Sequence, residues 1–319
     1  MANSLTVVVA SYQREGHLST LLTSLATALT EPCGFDVDVV VVLDGSTDGS
    51  SAMLAAVQPG FPVPIQNLWQ PNRGLAAARN AGIAAAQGEL VWLLDDDMVV
   101  SRAALLCHLG HRRDTARILM GPCDVSSADP DIVHSSWWYA DRHRRLAVEG
   151  TVRDPHDSSF ANTSAPTMLL REHSFDERFR GYGVEDFELA VRLFELGEVM
   201  AFDSAAAITH HLSPRRSESL RKMREEGANR MRFLALHPSY ESVVFSSDPG
   251  TAERSLRRVA RWPAGVGLWV FAQALEAAAS WRPTRRYRQR LLAYAELAAI
   301  YSGVSSASTR PAWRLRRSK

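Results

Sequence analysis

The sequence predicts an α/β fold built on a mostly parallel sheet with helices on both faces, followed by a helical C-terminal extension. Short apolar runs rich in β-branched residues alternate with segments of helical period near the start of the chain, and this alternation is typical of parallel sheets. The runs are apolar on both faces, as expected for buried strands. Polar loops follow three of them, and such folds bind ligands at the carboxyl ends of their strands.

The first 113 residues supply the alternating elements. Three of the four predicted strands are short, mostly apolar runs, and the first predicted helix has apolar residues at helical spacing. The predicted strands cover residues 5–10, 37–43, 65–69 and 90–94. The predicted helices cover residues 18–29, 51–57, 75–86 and 102–113.

The sequence after residue 113 is less regular. Residues 135–157 contain clustered aromatic, histidine and arginine residues with poor periodicity, so no element is predicted there. We predict a strand over 118–125, a strand and loop over 160–170, a helix over 184–196 and a short strand over 199–202. Beyond Pro214 the chain is predicted to be helical and is rich in arginine.

The two parts of the chain carry opposite charges, although the net charge of the whole is only +1. Up to Pro214 there are 15 Lys and Arg residues against 27 Asp and Glu, whereas from Arg215 onward there are 21 against 8. The net charges are therefore −12 and +13. This asymmetry predicts one domain over residues 1–214 and a basic, mainly helical region over residues 215–319.

The composition, 46% hydrophobic and 22% charged, is ordinary for a globular protein and excludes collagen, coiled coil and wholesale disorder. The start of the chain lacks the pattern of a signal peptide. Three scattered cysteines without a C-x-x-C pair argue against a disulfide scaffold or a zinc ribbon, so a cytoplasmic location is expected. The longest apolar window, residues 264–281, contains Gln273 and Glu276, so no transmembrane segment is predicted.

Three consecutive carboxylates, Asp95, Asp96 and Asp97, directly follow the fourth predicted strand. Adjacent carboxylates repel one another unless a cation lies near them. Mg²⁺ and Mn²⁺ prefer oxygen ligands, and such ions commonly join one or two carboxylates to phosphate groups. The cluster is therefore a candidate metal site, with a solvated loop or a helix N-cap as the alternative.

Two further polar pairs follow later in the chain. Glu185 and Asp186 begin a predicted helix, where carboxylates also stabilise the helix dipole. His210 and His211 follow a short predicted strand, and such a pair can complete a metal site or play a structural part. From the residues alone, both interpretations of each pair stay open.

Five segments of the chain resemble, in order and spacing, the motifs of the family 2 glycosyltransferases of the GT-A fold. The segments are residues 6–15, 39–50, 72–82, 88–97 and 184–192, and the resemblance extends over roughly residues 5–212. It implies a GT-A type fold, with a Rossmann-like sheet, and the transfer of a sugar from a nucleoside-diphosphate sugar. Because the family uses many sugars, the motifs are specific for the family and not for the donor.

The resemblance also implies a donor site. Asp44 matches the carboxylate that recognises the nucleobase, and Asp95 the one that contacts the ribose. Asp95, Asp96 and Asp97 match the D-x-D element of the family, in which the last aspartate, here Asp97, binds the metal. The implied cofactor is Mn²⁺ or Mg²⁺. The remaining implied residues are Ala10, Ser11 and Tyr12, which pack on the base, and Arg79, which lies near the diphosphate. The family more often has proline where this chain has Ala10.

For the transfer step, the resemblance assigns the general base to Asp186, with Glu185 as its neighbour on the acceptor side. His210 matches a histidine that binds the metal in some members, and the doublet leaves His210 and His211 as alternatives. A single base without a second carboxylate nucleophile implies one displacement, with inversion at the anomeric carbon. A carboxylate opposite the leaving group can accept the proton of the attacking hydroxyl.

Several partners and functions are weighed against this interpretation. The carboxylate of Asp44 suits the imide of uracil or thymine, which favours a UDP- or dTDP-sugar; the acceptor is open among glycans, lipid-linked glycans and small molecules. A nicotinamide-dependent oxidoreductase is excluded because no G-x-G-x-x-G follows the first strand. A sugar-phosphate nucleotidyltransferase and a non-catalytic nucleotide-sugar binding protein are the alternative functions.

The basic region permits two interpretations. Basic runs over residues 254–261 and 282–290 flank an apolar segment with tryptophans at both ends. Such a segment is typical of a membrane interface, which would place the protein at the inner face of the membrane. A helical subdomain that exposes its arginines to water is the alternative, and no nucleic-acid-binding module is recognised.

Overall fold

The structure is a computed structural model that describes residues 4–111, 116–126, 142–211, 216–240, 265–280 and 297–304, with the single positions 295 and 307. The strands are β1 (Ser4–Ser11), β2 (Asp36–Asp44), β3 (Ile65–Gln70), β4 (Leu90–Asp95), β5 (Met98–Val99), β6 (Ile118–Met120), β7 (Cys123–Ser126), β8 (Thr151–Val152), β9 (Asn162–Pro166), β10 (Met200–Phe202) and β11 (Ile208–His211). The helices are α1 (Glu15–Leu29), α2 (Ser50–Val57), α3 (Leu75–Ala85), α4 (Arg102–Gly110), α5 (142–149), α6 (Thr167–Glu172), α7 (Glu185–Glu195), α8 (Arg216–Leu236), α9 (Gly265–Ser280) and α10 (297–304).

A large, mostly parallel sheet forms the centre of the fold and confirms the predicted fold class. Its strand order is β3-β2-β1-β4-β9-β6-β10-β8. Strands β3, β2, β1 and β4 are mutually parallel, and β9 lies antiparallel between β4 and β6. The chain leaves β1 toward β2 on one side and later enters β4 on the other. The ends of β1 and β4 therefore form the switch point at which open α/β sheets bind ligands.

Both faces of this sheet are buried, as the uninterrupted apolar strands predict. Val7 and Val9 of β1 belong to one core cluster, which includes the buried leucines of α1. Val8 and Ala10 belong to a second cluster, which includes alanines of α3. This alternation follows from the two-residue period of a strand, which sends successive side chains to opposite faces. Helices on both faces thus fix the position of the strand ends.

The segments after residue 113 differ from their predictions in two places. The single strand predicted over 118–125 is two strands, β6 and β7, separated by Gly121 and Pro122. A Cβ atom on Gly121 would lie 2.3 Å from the backbone oxygen of Ala206, so the chain needs glycine at this close approach. The strand and loop predicted over 160–170 are β9 followed by α6. In addition, β5, β11 and β7 form a separate three-stranded sheet that the sequence did not indicate.

The chain divides into two compact units. The first consists of Met1–Arg178 and Glu185–Leu212, and the second of Phe179–Val184 and Ser213–Lys319. The first unit holds the large sheet with its two core clusters.

Helices and one short loop make up the described part of the second unit. Leu220 of α8 packs with alanines of α9 and of the region of α10. Gly227 of α8 lies so close to α10 that a Cβ atom there would meet the backbone oxygen of Ile300 at 1.9 Å. The side-chain amide of Asn229, which is buried, donates hydrogen bonds to the backbone oxygens of the loop at Arg180, Tyr182 and Gly183.

Within the described residues, no helix is both long enough and apolar enough to span a membrane. The basic runs over residues 254–261 and 282–290 lie outside the part of the chain that the structure describes. The membrane-interface interpretation of the segment they flank stays a prediction.

Candidate active site

The polar loops after β1 and β4 meet at the carboxyl ends of the two strands, as the sequence predicts. Ala10 in β1 lies opposite Asp95 in β4, so the two strands end at the same level. The hydroxyl of Ser11 donates a 2.7 Å hydrogen bond to Asp96 Oδ2. The loop after β2 joins them, because Ser46 Oγ donates to the backbone oxygen of Ser11.

Asp97 and His210 form a pair at this edge. Asp97 directly precedes β5, and β11 pairs antiparallel with β5 so that His210 lies opposite Met98. This pairing places His210 Nε2 3.2 Å from Asp97 Oδ1. His211 takes a different position. Its backbone N–H donates a hydrogen bond to the backbone oxygen of Asp97, and His211 lines a neighbouring pocket. Of the two histidines, His210 is therefore the one whose ring meets the carboxylate.

The chemistry of this pair fits a divalent cation. Asp97 Oδ1 is buried and makes no hydrogen bond within the described residues. Two neighbouring ligands of an octahedral ion with bonds of about 2.1 Å lie about 3.0 Å apart, close to the 3.2 Å between Oδ1 and Nε2. No group of three or more His, Cys, Asp and Glu side chains placed to hold a metal occurs in the described ranges. Phosphate and water would supply the other ligands, as is common for Mg²⁺.

A basic side chain that the sequence did not single out, Arg14, lies on the opposite side of Asp97. Its Nη1 donates to Asp97 Oδ2 at 2.6 Å and to Asp96 Oδ1 at 3.2 Å. Burial raises the pKa of Asp97, but His210 and Arg14 outweigh it and hold that pKa well below its ordinary value. Asp96 is more deeply buried, and burial raises its pKa to about 7 despite Arg14.

A second arginine, Arg79, joins two carboxylates from distant parts of the sequence. Its Nη1 donates to Asp186 Oδ1 at 2.6 Å and its Nη2 donates to Asp95 Oδ1 at 2.8 Å. The guanidinium also lies 5.2 Å from the ring centre of Phe175. Only 3% of the Arg79 side chain is exposed, so this arginine connects the D-x-D element to the start of α7.

The two carboxylates at the start of α7 differ in environment. Asp186 accepts hydrogen bonds on both oxygens, from Arg79 and from the backbone N–H of Phe160, and 22% of its side chain is exposed. Glu185 is buried, with Oε1 3.7 Å from Arg79. Burial, together with the neighbouring charge of Asp186, raises the pKa of Glu185 to about 8. Its surroundings therefore favour the protonated form of Glu185.

Asp44, at the end of β2, anchors the turn that precedes α3. Its Oδ1 accepts hydrogen bonds from Gln70 Nε2 and the backbone N–H of Arg73, and its Oδ2 accepts one from the backbone N–H of Gly74. A carboxylate has about four lone-pair sites, so one acceptor site of Asp44 is left after these three bonds. Asp44 is thus a structural anchor that retains capacity for one more donor.

Tyr12 and an open pocket lie beside the strand ends. Ala10 and Ser11 are buried, whereas Tyr12 is 51% exposed and presents its ring to solvent. The pocket has a volume of about 330 Å³. Its lining residues are Gly16, His17, Thr20, Asp97, Met98 and His211.

The sequence did not indicate two groups that donate hydrogen bonds to the site carboxylates: the guanidinium of Arg14, which bonds to Asp97, and the backbone N–H of Phe160, which bonds to Asp186. Arg14 lies inside the first motif, but no pattern in the sequence shows that its side chain reaches Asp97. The backbone N–H of Phe160 carries no sequence signal at all. The structure places Asp95 at the end of β4 and Asp186 in the first turn of α7, and their roles in the site stay predictions.

Comparison with known proteins gives a match to one family. The sequence profile of Glycosyl transferase family 2 matches residues 6–179, which is more than half of the chain. The succinoglycan biosynthesis protein ExoO of Rhizobium meliloti is 38% identical over 206 residues, covering 64% of this chain and 52% of that protein. The validoxylamine A glucosyltransferase of Streptomyces hygroscopicus subsp. limoneus is 28% identical over 224 residues, covering 60% and 48%. The chain thus spans about half the length of these relatives.

Solved structures with the same fold include complexes with nucleotide sugars. The mannosyltransferase PcManGT from Pyrobaculum calidifontis, in complex with GDP-Man and Mn²⁺, has a TM-score of 0.58 and 20% identity, covering 93% of this chain and 86% of that one. S. aureus TarS 1-349, in complex with UDP-GlcNAc, has a TM-score of 0.55 and 19% identity, covering 95% and 90%. At such identities the likeness concerns the fold.

Proposed function

The chain belongs to glycosyl transferase family 2, and from this membership we propose that it is an inverting, metal-dependent transferase that moves a sugar from a nucleoside-diphosphate sugar to a hydroxyl acceptor. The observation that carries the proposal is the cluster at Arg79, where a carboxylate of α7 meets a carboxylate of the D-x-D element. The proposed base, Asp186, and a donor-site carboxylate, Asp95, thereby bind the same guanidinium group.

The donor site uses the strand ends. Asp97 and His210 would hold Mn²⁺ or Mg²⁺, whose charge neutralises the leaving nucleoside diphosphate. Asp95, with 31% of its side chain exposed, contacts the ribose. The fourth acceptor site of Asp44 binds an imide N–H, which favours a UDP- or dTDP-sugar, and the exposed ring of Tyr12 stacks on the base.

In the transfer step, the acceptor hydroxyl approaches the anomeric carbon from the side opposite the diphosphate. Asp186 accepts the proton of that hydroxyl as the new glycosidic C–O bond forms and the C–O bond to the diphosphate breaks. The nucleoside diphosphate leaves with the bonding electron pair. One displacement inverts the anomeric configuration, and Asp186 returns its proton to water.

Two observations favour Asp186 over Glu185 as the base. Glu185 is buried, and its raised pKa favours the protonated form, which is a poor proton acceptor. Asp186 is partly exposed, and the hydrogen bonds from Arg79 and Phe160 fix its orientation. Each of its oxygens keeps one further lone pair for the acceptor hydroxyl.

The acceptor belongs to one of three classes, a glycan, a lipid-linked glycan or a small molecule. Residues 215–319 supply the positive charge that would approach an anionic acceptor or the inner face of the membrane, consistent with a cytoplasmic or peripheral location. A non-catalytic nucleotide-sugar binding protein would bind the donor equally well, but it would not need Asp186.

A thermal-shift panel of UDP-, dTDP- and GDP-sugars, with and without Mn²⁺, tests the donor site. A donor at 100 times its dissociation constant stabilises the folded chain by about 2.7 kcal/mol, and we expect this shift only with Mn²⁺. In Asp97→Asn the Mn²⁺-dependent shift should disappear, because a metal ligand is lost. Glu31→Gln removes an exposed carboxylate two residues after α1 and should keep the full shift. An Mn²⁺-dependent shift retained in Asp97→Asn would contradict the assignment.

A further inference from the structure

Arg14 lies beside one oxygen of Asp97, the carboxylate proposed above to hold the metal ion. Its Nη1 lies 2.6 Å from Asp97 Oδ2, while the other oxygen of the same carboxylate faces His210. The Arg14 side chain is 28% exposed, whereas that of Asp97 is 13% exposed. One carboxylate therefore has an arginine on one oxygen and a position suited to a metal ion on the other.

The backbone that carries Arg14 is held firmly. Gln13, the preceding residue, has a φ of 55°, in the left-handed region that non-glycine residues rarely adopt. Its backbone N–H donates to Ser46 Oγ and its side-chain amide donates to Thr47 Oγ1. These bonds fix the start of the Arg14 side chain, and the partial exposure of that side chain gives its guanidinium room to move.

We propose that Arg14 is an exchangeable counter-cation: it neutralises Asp97 while the site holds no metal, and it transfers to the donor diphosphate when the metal and the nucleotide bind. This inference rests on the proposed function. A guanidinium beside Asp97 repels a second cation, so the free ion binds weakly. A diphosphate supplies negative charge and planar oxygen pairs that suit a guanidinium, so the same arginine then favours binding.

The exchange has a consequence for the order of binding. With Arg14 on Asp97, the ion and the nucleotide bind more strongly together than the ion binds alone. By thermodynamic linkage, the nucleotide raises the affinity for the ion by the same factor as the ion raises the affinity for the nucleotide. Removing the charge of Arg14 should therefore reduce this coupling from both directions.

Arg14→Gln tests the exchange through Mn²⁺ binding itself, measured by titration calorimetry and by the Mn²⁺ resonance signal. Without nucleotide, the variant should bind Mn²⁺ about tenfold more tightly than the wild type, because the competing cation is gone. With saturating UDP, or with GDP in a parallel series, its affinity for Mn²⁺ should be equal to or weaker than that of the wild type. The variant thus has a higher affinity for Mn²⁺ without nucleotide, and no higher affinity when nucleotide is bound.

Controls separate this effect from changes in fold or net charge. Arg117→Gln removes an exposed arginine that pairs with Glu198, and it should leave both affinities unchanged. Arg14→Lys keeps the charge, so it should bind free Mn²⁺ as the wild type does. If Arg14→Gln proves unstable, the comparison of Arg14→Lys with Arg14→Met at low temperature replaces it. Asp97→Asn in the Arg14→Gln background should abolish the gain.

Unchanged affinity for free Mn²⁺ in a folded Arg14→Gln would overturn the exchange, whatever the nucleotide does. An equal gain in the presence and in the absence of nucleotide would overturn it too, since Arg14 would then act only as a competitor. The arm with Mn²⁺ alone needs no nucleotide. If the wild type binds no nucleotide at all, the proposed function fails. The arm with Mn²⁺ alone still shows whether Arg14 competes with the ion for Asp97.

Discussion

Two arginines serve the same edge of the sheet, and they differ in burial. Arg79 is 3% exposed and joins Asp95 to Asp186, whereas Arg14 is 28% exposed and joins Asp96 to Asp97. Both make hydrogen bonds of 2.6 Å to a carboxylate. Equal bond lengths therefore do not indicate equal roles.

The difference in burial separates a permanent connection from an exchangeable one. Removing one partner of a buried ion pair leaves an uncompensated charge and is strongly destabilising. An ion pair whose arginine is partly exposed, as Arg14 is, loses less when that arginine is removed, because water solvates part of the site. On the proposed function, Arg79 would hold the base and the ribose-binding carboxylate together, and Arg14 would release its carboxylate.

The largest expected effect is on stability, from Arg79→Met. This change leaves Asp95 and Asp186 facing each other without a cation, and it should lower the free energy of unfolding by about 3 kcal/mol, near the lower end for buried pairs because both carboxylates reach solvent. Arg14→Gln should lower it by less than Arg79→Met does, because 28% of the Arg14 side chain already reaches solvent and His210 stays beside Asp97. Urea unfolding of the two variants beside the wild type measures the difference.

Equal losses of stability in Arg79→Met and Arg14→Gln would contradict the proposed difference between a permanent and an exchangeable arginine. A large loss in Arg14→Gln would show that Arg14 is as permanent a part of the fold as Arg79. Arg117→Gln serves as the reference for a half-exposed arginine, since Arg117 is 50% exposed and pairs with Glu198, which belongs to neither cluster.

A further effect concerns pH, and it has opposite signs for Glu185 and Asp97. The pKa of Glu185, beside Arg79, is raised from 4.5 to about 8 in the folded chain. Between these values the folded state holds a proton that the unfolded state releases, so this group makes stability fall as pH rises through the window. Asp97, beside Arg14, has a lowered pKa, and its contribution is present above 3.8 and is lost as pH falls.

Glu185→Gln isolates the first of these contributions. The variant should show a flatter decline in the free energy of unfolding between pH 5 and about 8, because the titrating group is gone while Asp96 titrates in both proteins. Chemical denaturation at a series of pH values measures both slopes. The same decline in both proteins would show that Glu185 ionises at an ordinary pH.

The sequence was sufficient for the strands that form the first half of the sheet. Strands β1 to β4 begin and end within one residue of their predicted bounds. For β1, β2 and β4 the reason is that a mostly apolar run between polar loops leaves little freedom in where a buried strand ends. The strand ends in turn placed Asp44 and Asp95 correctly at one edge. The local sequence pattern is enough to predict a strand end where an apolar run stops directly at a polar loop.

The second sheet could not be predicted, and neither could the arginine partners. Strand β5 has two residues and pairs with β11, which lies more than one hundred positions later. Such a short run has no period to detect, and its pairing depends on the tertiary fold. The same holds for Arg14 and Arg79, since the reach of a long side chain depends on which loops the sheet brings together.

The central claim is that Asp186 is the base of a sugar transfer, and turnover of Asp186→Asn tests it most directly. Release of the nucleoside diphosphate from the donor that the panel identifies should fall by about 10² to 10⁴. Calorimetric affinity for the same donor with Mn²⁺ should stay within about twofold of the wild type, because Asn keeps the size of the side chain and Asp186 does not bind the donor. Turnover near that of the wild type with intact donor binding would contradict the account.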